Sequence, residues 1–368
     1  MPWSHPRTES WTAGPGLPSS SAVRSCQLWL FETLSDSPCK AELATGDRLG
    51  PAQPFSDDEL NVLRRQMALT HERDLRARER ARARPPGEFC FALLGVAVQQ
   101  EHSLGEAAMI RSIDEPPYAN TLLEVIRDKS QAADIGRWIG GCRSELVIAR
   151  ELAEISDPKA GLELGWNAIA ALRICSDGEF LVPGVSDRSW DTIAGCNSDE
   201  CWAQVIEDSP NALRLGPATD LVVSTEQAEW IGKHFEKLLE LRAERRFHFA
   251  LQSLSDNQSL GDLRMMAAML WSGLEALLDV SQEIRFRISA LLAVLTTPRG
   301  PSRYLAYKDC LKLYDARSKA VHGASMSKSE LVQHVLAVRA LLRRSLTATL
   351  EHGRVFTRDE LEAELLGA

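Results

Sequence analysis

No stretch of the sequence approaches the roughly 18 consecutive apolar residues that a membrane-crossing helix needs, so no span is expected. No Cys-x-x-Cys pair occurs either. The eight cysteines are scattered, and the two closest, Cys196 and Cys201 in CNSDEC, have no histidine or second cysteine pair near them. They read as buried or free thiols of a reducing compartment, and no metal site is expected. Glycine-rich phosphate loops are missing, as are His-Glu-x-x-His and Gly-x-Ser-x-Gly. No cofactor is therefore expected. Positive charge is in deficit: 42 Lys and Arg against 51 Asp and Glu leave a net charge of −9. Such a chain does not coat nucleic acid by bulk attraction, so any nucleic acid it handles must meet a local basic site. The N-terminal stretch lacks the basic start and apolar centre of a secretory signal, and the expected location is the cytoplasm.

What is present is an ordinary globular composition, 44% hydrophobic and 25% charged, over a length that fits about two domains. Residues 1–55 are rich in Pro, Ser and Gly without a sustained period and are expected to be a disordered leader. Residues 56–86 read as a helix with a basic end. Ser56 and Glu59 make a capping box, acids fill the first turn, and the arginine-rich tail stops at Pro85-Pro86. That tail reads either as a nucleic-acid arm or as a charged helix end suited to its own dipole. Residues 87–224 read as a small mixed α+β region. EFCFALLGVAVQQ (88–100), AAMIRSIDEPP and GEFLVPGVS are predicted strands. Helices are predicted at about 119–135, 142–156 and 161–174. Residues 186–218 are expected to be irregular, with a short helix near 199–207.

From residue 225 the pattern is helical. One long amphipathic helix is predicted over 225–254, with Ile231, Phe235, Leu238 and Leu239 on its apolar face. Residues 259–280 are nearly apolar all round after the first turn and predict the central helix. Further helices are predicted over 281–297, 303–322 (ended by Gly323) and 327–352 (opened by Ser327 and Glu330). Thr357 and Glu360 open a last short helix within 353–368. The fold class expected is mainly α: a five-helix bundle over 225–352, preceded by the α+β region and the leader.

One stretch carries chemistry. In LYDARSKAVHG (313–323), Arg317 and His322 stand near a helix end. Arginine stays charged and fits phosphate with a fork of N–H groups, while the pKa of histidine near neutrality suits proton transfer. A helix C-terminus also favours protonated histidine. At 100° per residue the two are splayed by roughly 140°, whereas Tyr314, Ser318 and His322 form one column with Arg317 on its flank. One helix thus offers a broad basic surface, and a symmetric dimer would set two copies of the pair side by side. A basic residue and a histidine before glycine is also a common helix ending with no function. The same spacing recurs at Arg242 with His248 and at Arg64 or Arg65 with His71, so context must single the pair out. Glu275, in SGLEALL, reads either as a partner that orients Arg317 or as a side chain that reaches the surface or caps a neighbour. RAERRFHF (242–249) reads as a basic-aromatic nucleic-acid surface or as a solvated charged face.

LWSGLEALLDV (270–280) and LYDARSKAVHG together resemble HEPN domains, most closely the Apea-like HEPN group. The resemblance covers about 225–352, and LRICSDGEFLVPG upstream is similar to the segment that precedes the domain in such proteins. It implies a bundle that often forms homodimers. Catalytic members are metal-independent endoribonucleases, many acting in phage defence or as toxins. Other members bind RNA, a nucleotide or a protein partner without catalysis. The family's pair falls on Arg317 and His322. Nuclease branches often carry Asn, Asp or His after the arginine. Here that residue is Ser318, as in the Apea-like pattern. The expectation is a cytoplasmic, bacterial RNA-cleaving homodimer, with the non-catalytic binding module as the alternative.

Overall fold

The structure is a computed structural model that describes residues 56–83, 87–106, 108–117, 139–149, 158–176, 179–196, 201–205, 215, 220–280, 284–321 and 326–367. The expected leader (1–55), the helix expected near 119–135, and His322 with Gly323 lie outside the described residues. The chain divides into two units, Met1–Met67 and Ala68–Ala368. Helix α1 (Asp57–Ala83) begins in the first unit, and its residues from Ala68 on belong to the second; Ser56 caps it, with the Glu59 amide donating to Ser56 Oγ (3.3 Å) and the Ser56 amide to Glu59 Oε2 (2.8 Å). In the second unit the described residues are mostly helical, with a small sheet.

The basic end of α1 is engaged by its own protein. Arg76 and Arg80 reach the two Glu115 oxygens at 2.9 and 2.8 Å, and Arg80 Nε donates to the Asp191 carbonyl at 3.3 Å. These two arginines of the tail therefore each reach one acid, Glu115, while Arg76 stays exposed.

The sheet begins with β1 (Glu88–Leu94), whose interior is buried along its length. Six strands run in the order β3 (His102–Ser103), β4 (Ala108–Ser112), β5 (Ser144–Ala149), β1, β6 (Leu181–Ser186), β7 (Ala203–Val205), with antiparallel neighbours throughout. A separate pair, β2 (Val96–Ala97) with β8 (Leu221–Val222), is parallel. The pleat sorts β1 by a period of two. Phe89, Phe91 and Leu93 join the main core, whereas Cys90 and Ala92 pack with Val147, Trp190 and Ile193 on the other face.

Three expectations are corrected here. Residues 144–149, predicted as part of a helix over 142–156, form β5. SELVIA pairs with β4 on one side and β1 on the other, and this two-sided ladder with a fully buried Leu-Val-Ile run overrides the helix preference of its Glu, Leu and Ala. The short helix expected near 199–207 is strand β7 at the sheet edge, where Ala203, Gln204 and Val205 pair with β6. The strands predicted from AAMIRSIDEPP and GEFLVPGVS are present as β4 and β6, whereas the single strand predicted over 88–100 stops at Leu94 as β1: Gly95 takes a positive φ of 88°, and Val96–Ala97 pairs separately as β2.

Helix α2 (Pro158–Cys175) lies flush on the sheet because it carries glycines one turn apart. A Cβ at Gly161 would sit 2.2 Å from the Phe89 ring, and one at Gly165 would sit 2.1 Å from the Phe91 ring. Both rings are fully buried and have nowhere to move. Gly165→Ala should therefore destabilise by roughly 1–3 kcal/mol through overpacking, despite the helix-propensity gain of about 1 kcal/mol. Thermal unfolding checks this, and a raised Tm would refute the close approach.

The helical layer follows: α3 (Thr225–Leu241), α4 (Arg245–Asp256), α5 (Leu263–Leu278), α6 (Ile284–Thr296), α7 (Pro301–Val321), α8 (Lys328–His352) and α9 (Arg358–Leu366). The long helix predicted over 225–254 is two helices. Leu238 and Phe247 are both buried, yet nine residues apart they would point to opposite sides of a continuous helix. The bend at Arg242–Glu244 brings both apolar stripes to one core. Helix α5 packs against α4, α6, α7 and α8, the central position its composition predicts. Gly273 permits the closest approach: a Cβ there would lie 2.8 Å from Ser253 on α4 and 3.3 Å from Leu342 on α8. One hydrophobic cluster runs from Phe91 and Leu146 in the sheet to Trp271 and Leu342 in the helices.

Candidate functional site

Three of the sequence-derived residues meet where α5 and α7 pack. Glu275 projects from α5, while Arg317 and Tyr314 project from one turn of α7. Arg317 Nη2 approaches Glu275 Oε1 to 2.7 Å, and Arg317 Nη1 donates to Tyr314 Oη at 3.2 Å. The guanidinium carbon also stands 5.3 Å from the Tyr314 ring centroid. No guanidinium N–H is aligned on Oε1, so the Glu275 contact is a Coulombic pair more than a directed hydrogen bond. Arg317 Nε is enclosed and finds no hydrogen-bond partner among the described residues. Both side chains keep about a quarter of their surface, 24% for Arg317 and 22% for Glu275. The pair is thus positioned but open on one side. Of the two readings left open for Glu275, the structure gives the contact with Arg317.

Burial pushes the Glu275 carboxyl above its ordinary value, against the pull of Arg317. Tyr314 is also raised, by burial, against the pull of Arg317 and with a smaller push from Glu275, so its phenol stays protonated and can accept from Arg317. Ser318 is exposed on the outer side of α7. His322, the second half of the pair, lies outside the described residues. Of the 21 residues of α7 only Cys310 and Ala320 are buried, so the helix presents a long open face.

Sequence reasoning assigned no role to three neighbours. Trp271, fully buried on α5, stands edge-on to Tyr314 with ring centroids 5.2 Å apart. Its indole N–H donates to His334 Nε2 on α8 at 3.2 Å. His334 is 5% exposed, and its Nδ1 has no partner among the described residues. The signal for it was available: Leu331, His334, Val335 and Val338 make one helical stripe, which puts a histidine in a core position. Arg264, at the start of α5, donates to the Lys319 and Ala320 carbonyls at 3.1 and 2.6 Å. It ties down the last turn of α7, which leads directly to His322. No local pattern reveals a contact between residues 55 positions apart.

Burial lowers the His334 pKa, so the ring is neutral in the folded chain. A group with a depressed folded pKa contributes stability above its unfolded value and loses it as pH falls. Stability should drop by up to about 1.4 kcal/mol per pH unit below about pH 6.5. Glu330, one turn away, is already held ionised by its cap at Ser327 and adds nothing in that window. Thermal unfolding between pH 7.5 and 5 should therefore show a flatter acid limb in His334→Gln. Identical limbs would contradict a neutral buried ring.

The other sequence candidates separate. RAERRFHF is split by the α3–α4 bend. Arg242 donates to Asn167 on α2 and Arg246 to the Phe356 carbonyl, leaving His248 and Phe249 exposed. Cys196 and Cys201 lie in contact, and that contact, with burial added, pushes the Cys201 thiol up. Among the described residues no group of three or more His, Cys, Asp or Glu is arranged to hold a metal ion, and no helix is long and apolar enough to cross a membrane.

The fold and site therefore define a mostly helical protein with a small antiparallel sheet and an arginine held by an acid and a tyrosine at a helix seam. Comparison with protein-family models, with curated proteins and with solved structures finds no match to the chain.

Proposed function

We propose that the chain is an HEPN-type protein of the Apea-like kind that cleaves RNA without a metal, in a defence or toxin-type role. The observation that supports this reading is Arg317 standing against Glu275 and Tyr314 one turn before His322. In metal-free cleavage the 2′-hydroxyl attacks the adjacent phosphorus. A base takes its proton, an acid protonates the departing 5′-oxygen, and a cation stabilises the charged phosphorane. Arg317 supplies the cation. Its Glu275 and Tyr314 contacts fix the fork before RNA arrives, which lowers the cost of organising it. His322 supplies the proton transfer. A homodimer packed along the open face of α7 brings two His322 side chains to one phosphate, one as base and one as acid. The remainder of the chain regulates access.

A second reading is a non-catalytic module that binds RNA, a nucleotide or a protein. It is favoured by Glu275, which offsets the charge of Arg317, and by Ser318 in the position after the arginine. Expression of wild type beside Arg317→Ala and His322→Ala separates the two. The nuclease reading expects degraded RNA and slowed growth in wild type alone. Intact RNA in all three strains, with partner binding retained, would favour the module.

A further inference from the structure

A cavity of about 380 Å³ opens between α2 and the α3–α4 bend, and it shares no lining residue with the Arg317 cluster. Its walls include Trp166 and Arg173 from α2, Arg242 from the bend, and His248, Ser255 and Asp256 from α4. Two arginines and a histidine thus line it beside one aspartate, in a chain whose net charge is −9. The cations are fixed by design of the walls. Arg242 is anchored on the Asn167 side-chain oxygen, and Asn167 is itself buried. Arg173 is 3% exposed and lies over the Phe180 ring at 5.3 Å. Trp166 is held edge-on by Phe91 at 5.9 Å and gives the cavity an aromatic wall. Behind it, Arg339 is pushed down to about 10 by burial, with Arg173 and Arg343 adding to the effect, and its counter-charge is Glu179 at 3.5 Å. Cations therefore gather at this end of the molecule.

Arginines held in place beside an aromatic ring recognise phosphate on one side and a flat apolar group on the other. The volume lies at the small end of ligand cavities. We propose that this cavity binds a small organic phosphate, with the phosphate on Arg242 and the organic part against Trp166. Occupancy braces α4, which packs on α5, the helix that carries Glu275.

Titration calorimetry of the full chain with phenyl phosphate, inorganic phosphate and phenol tests this. Phenyl phosphate should bind with one site per chain, at least about tenfold tighter than inorganic phosphate, and phenol should not bind. Arg242→Ala should weaken phenyl phosphate by about tenfold or more, and Trp166→Ala should remove its advantage over inorganic phosphate. Arg242 sits in a bend, so its variant keeps the test sound if Trp166→Ala fails to fold. No binding of either phosphate, or equal binding in wild type and Arg242→Ala, would overturn the proposal. RNA cleavage is tested with Arg317 and His322 variants, so either idea can fail alone.

Discussion

Arg317→Ala should lower the rate of RNA cleavage by about 10²–10³-fold and leave the protein folded. The rate loss is the size expected when one fixed donor is removed from a charge that develops in the transition state. The fold survives because Arg317 keeps about a quarter of its surface in water and its pair with Glu275 is open on one side, where such pairs contribute little. Arg317→Lys should recover only part of the rate. Lysine keeps the charge but cannot donate to Tyr314 and to a phosphate with one planar group. Glu275→Gln should have a smaller effect, about tenfold, because in the proposed reading Glu275 acts on RNA only through its contact with Arg317. Single-turnover rates beside melting curves check the series. A normal rate in Arg317→Ala, or a collapse of Tm that tracks the rate, would remove Arg317 from the chemistry.

The largest effect on stability should come from Glu145→Ala, at roughly 3–5 kcal/mol. Glu145 is fully buried on β5 and accepts from Arg111 Nε (2.6 Å), Ser189 Oγ (2.7 Å) and the Trp190 amide (2.8 Å). Burial pushes its carboxyl up, and these three donors oppose that push. Arg111, 7% exposed, also reaches Glu88 Oε2 at 2.7 Å. Deleting Glu145 leaves a buried guanidinium with one acid and leaves the Ser189 and Trp190 donors unmet. Replacing both members, as in Arg111→Met with Glu145→Leu, should restore much of the loss, because no buried charge is then stranded. Denaturant unfolding of the singles and the double decides the matter. Additive losses would mean that the ion pair is not the cause.

These groups also mark what the sequence carried and what it withheld. Helix starts at Ser327 and Thr357 were legible, because a capping box is local, and both boxes form. The central place of α5 was legible from its apolar circumference. The strand at Ser144–Ala149 was not, because its conformation is set by partners at Ala108–Ser112 and Glu88–Leu94 and not by its own residues. The bend at Arg242–Glu244 contains neither Gly nor Pro. Its trace lies in the phase between Leu238 and Phe247, which only a residue-by-residue count of angle reveals. At the site, the turn that places Arg317 beside Tyr314 follows from spacing alone, and Glu275 was legible only as one of two readings. Trp271 meets Tyr314, His334 meets Trp271 and Arg264 meets the end of α7 across helix seams; the stripe on α8 marks His334 as buried, but no local pattern encodes these partners.

The central claim is that Arg317 and His322 cleave RNA through its own 2′-hydroxyl. The most direct measurement is the end chemistry of a defined single-stranded RNA incubated with purified protein in excess EDTA. The account predicts fragments ending in 2′,3′-cyclic phosphate and 5′-hydroxyl from wild type, with none from Arg317→Ala or His322→Ala. An intact RNA with wild type, 5′-phosphate ends, or cleavage unchanged in both variants would contradict it.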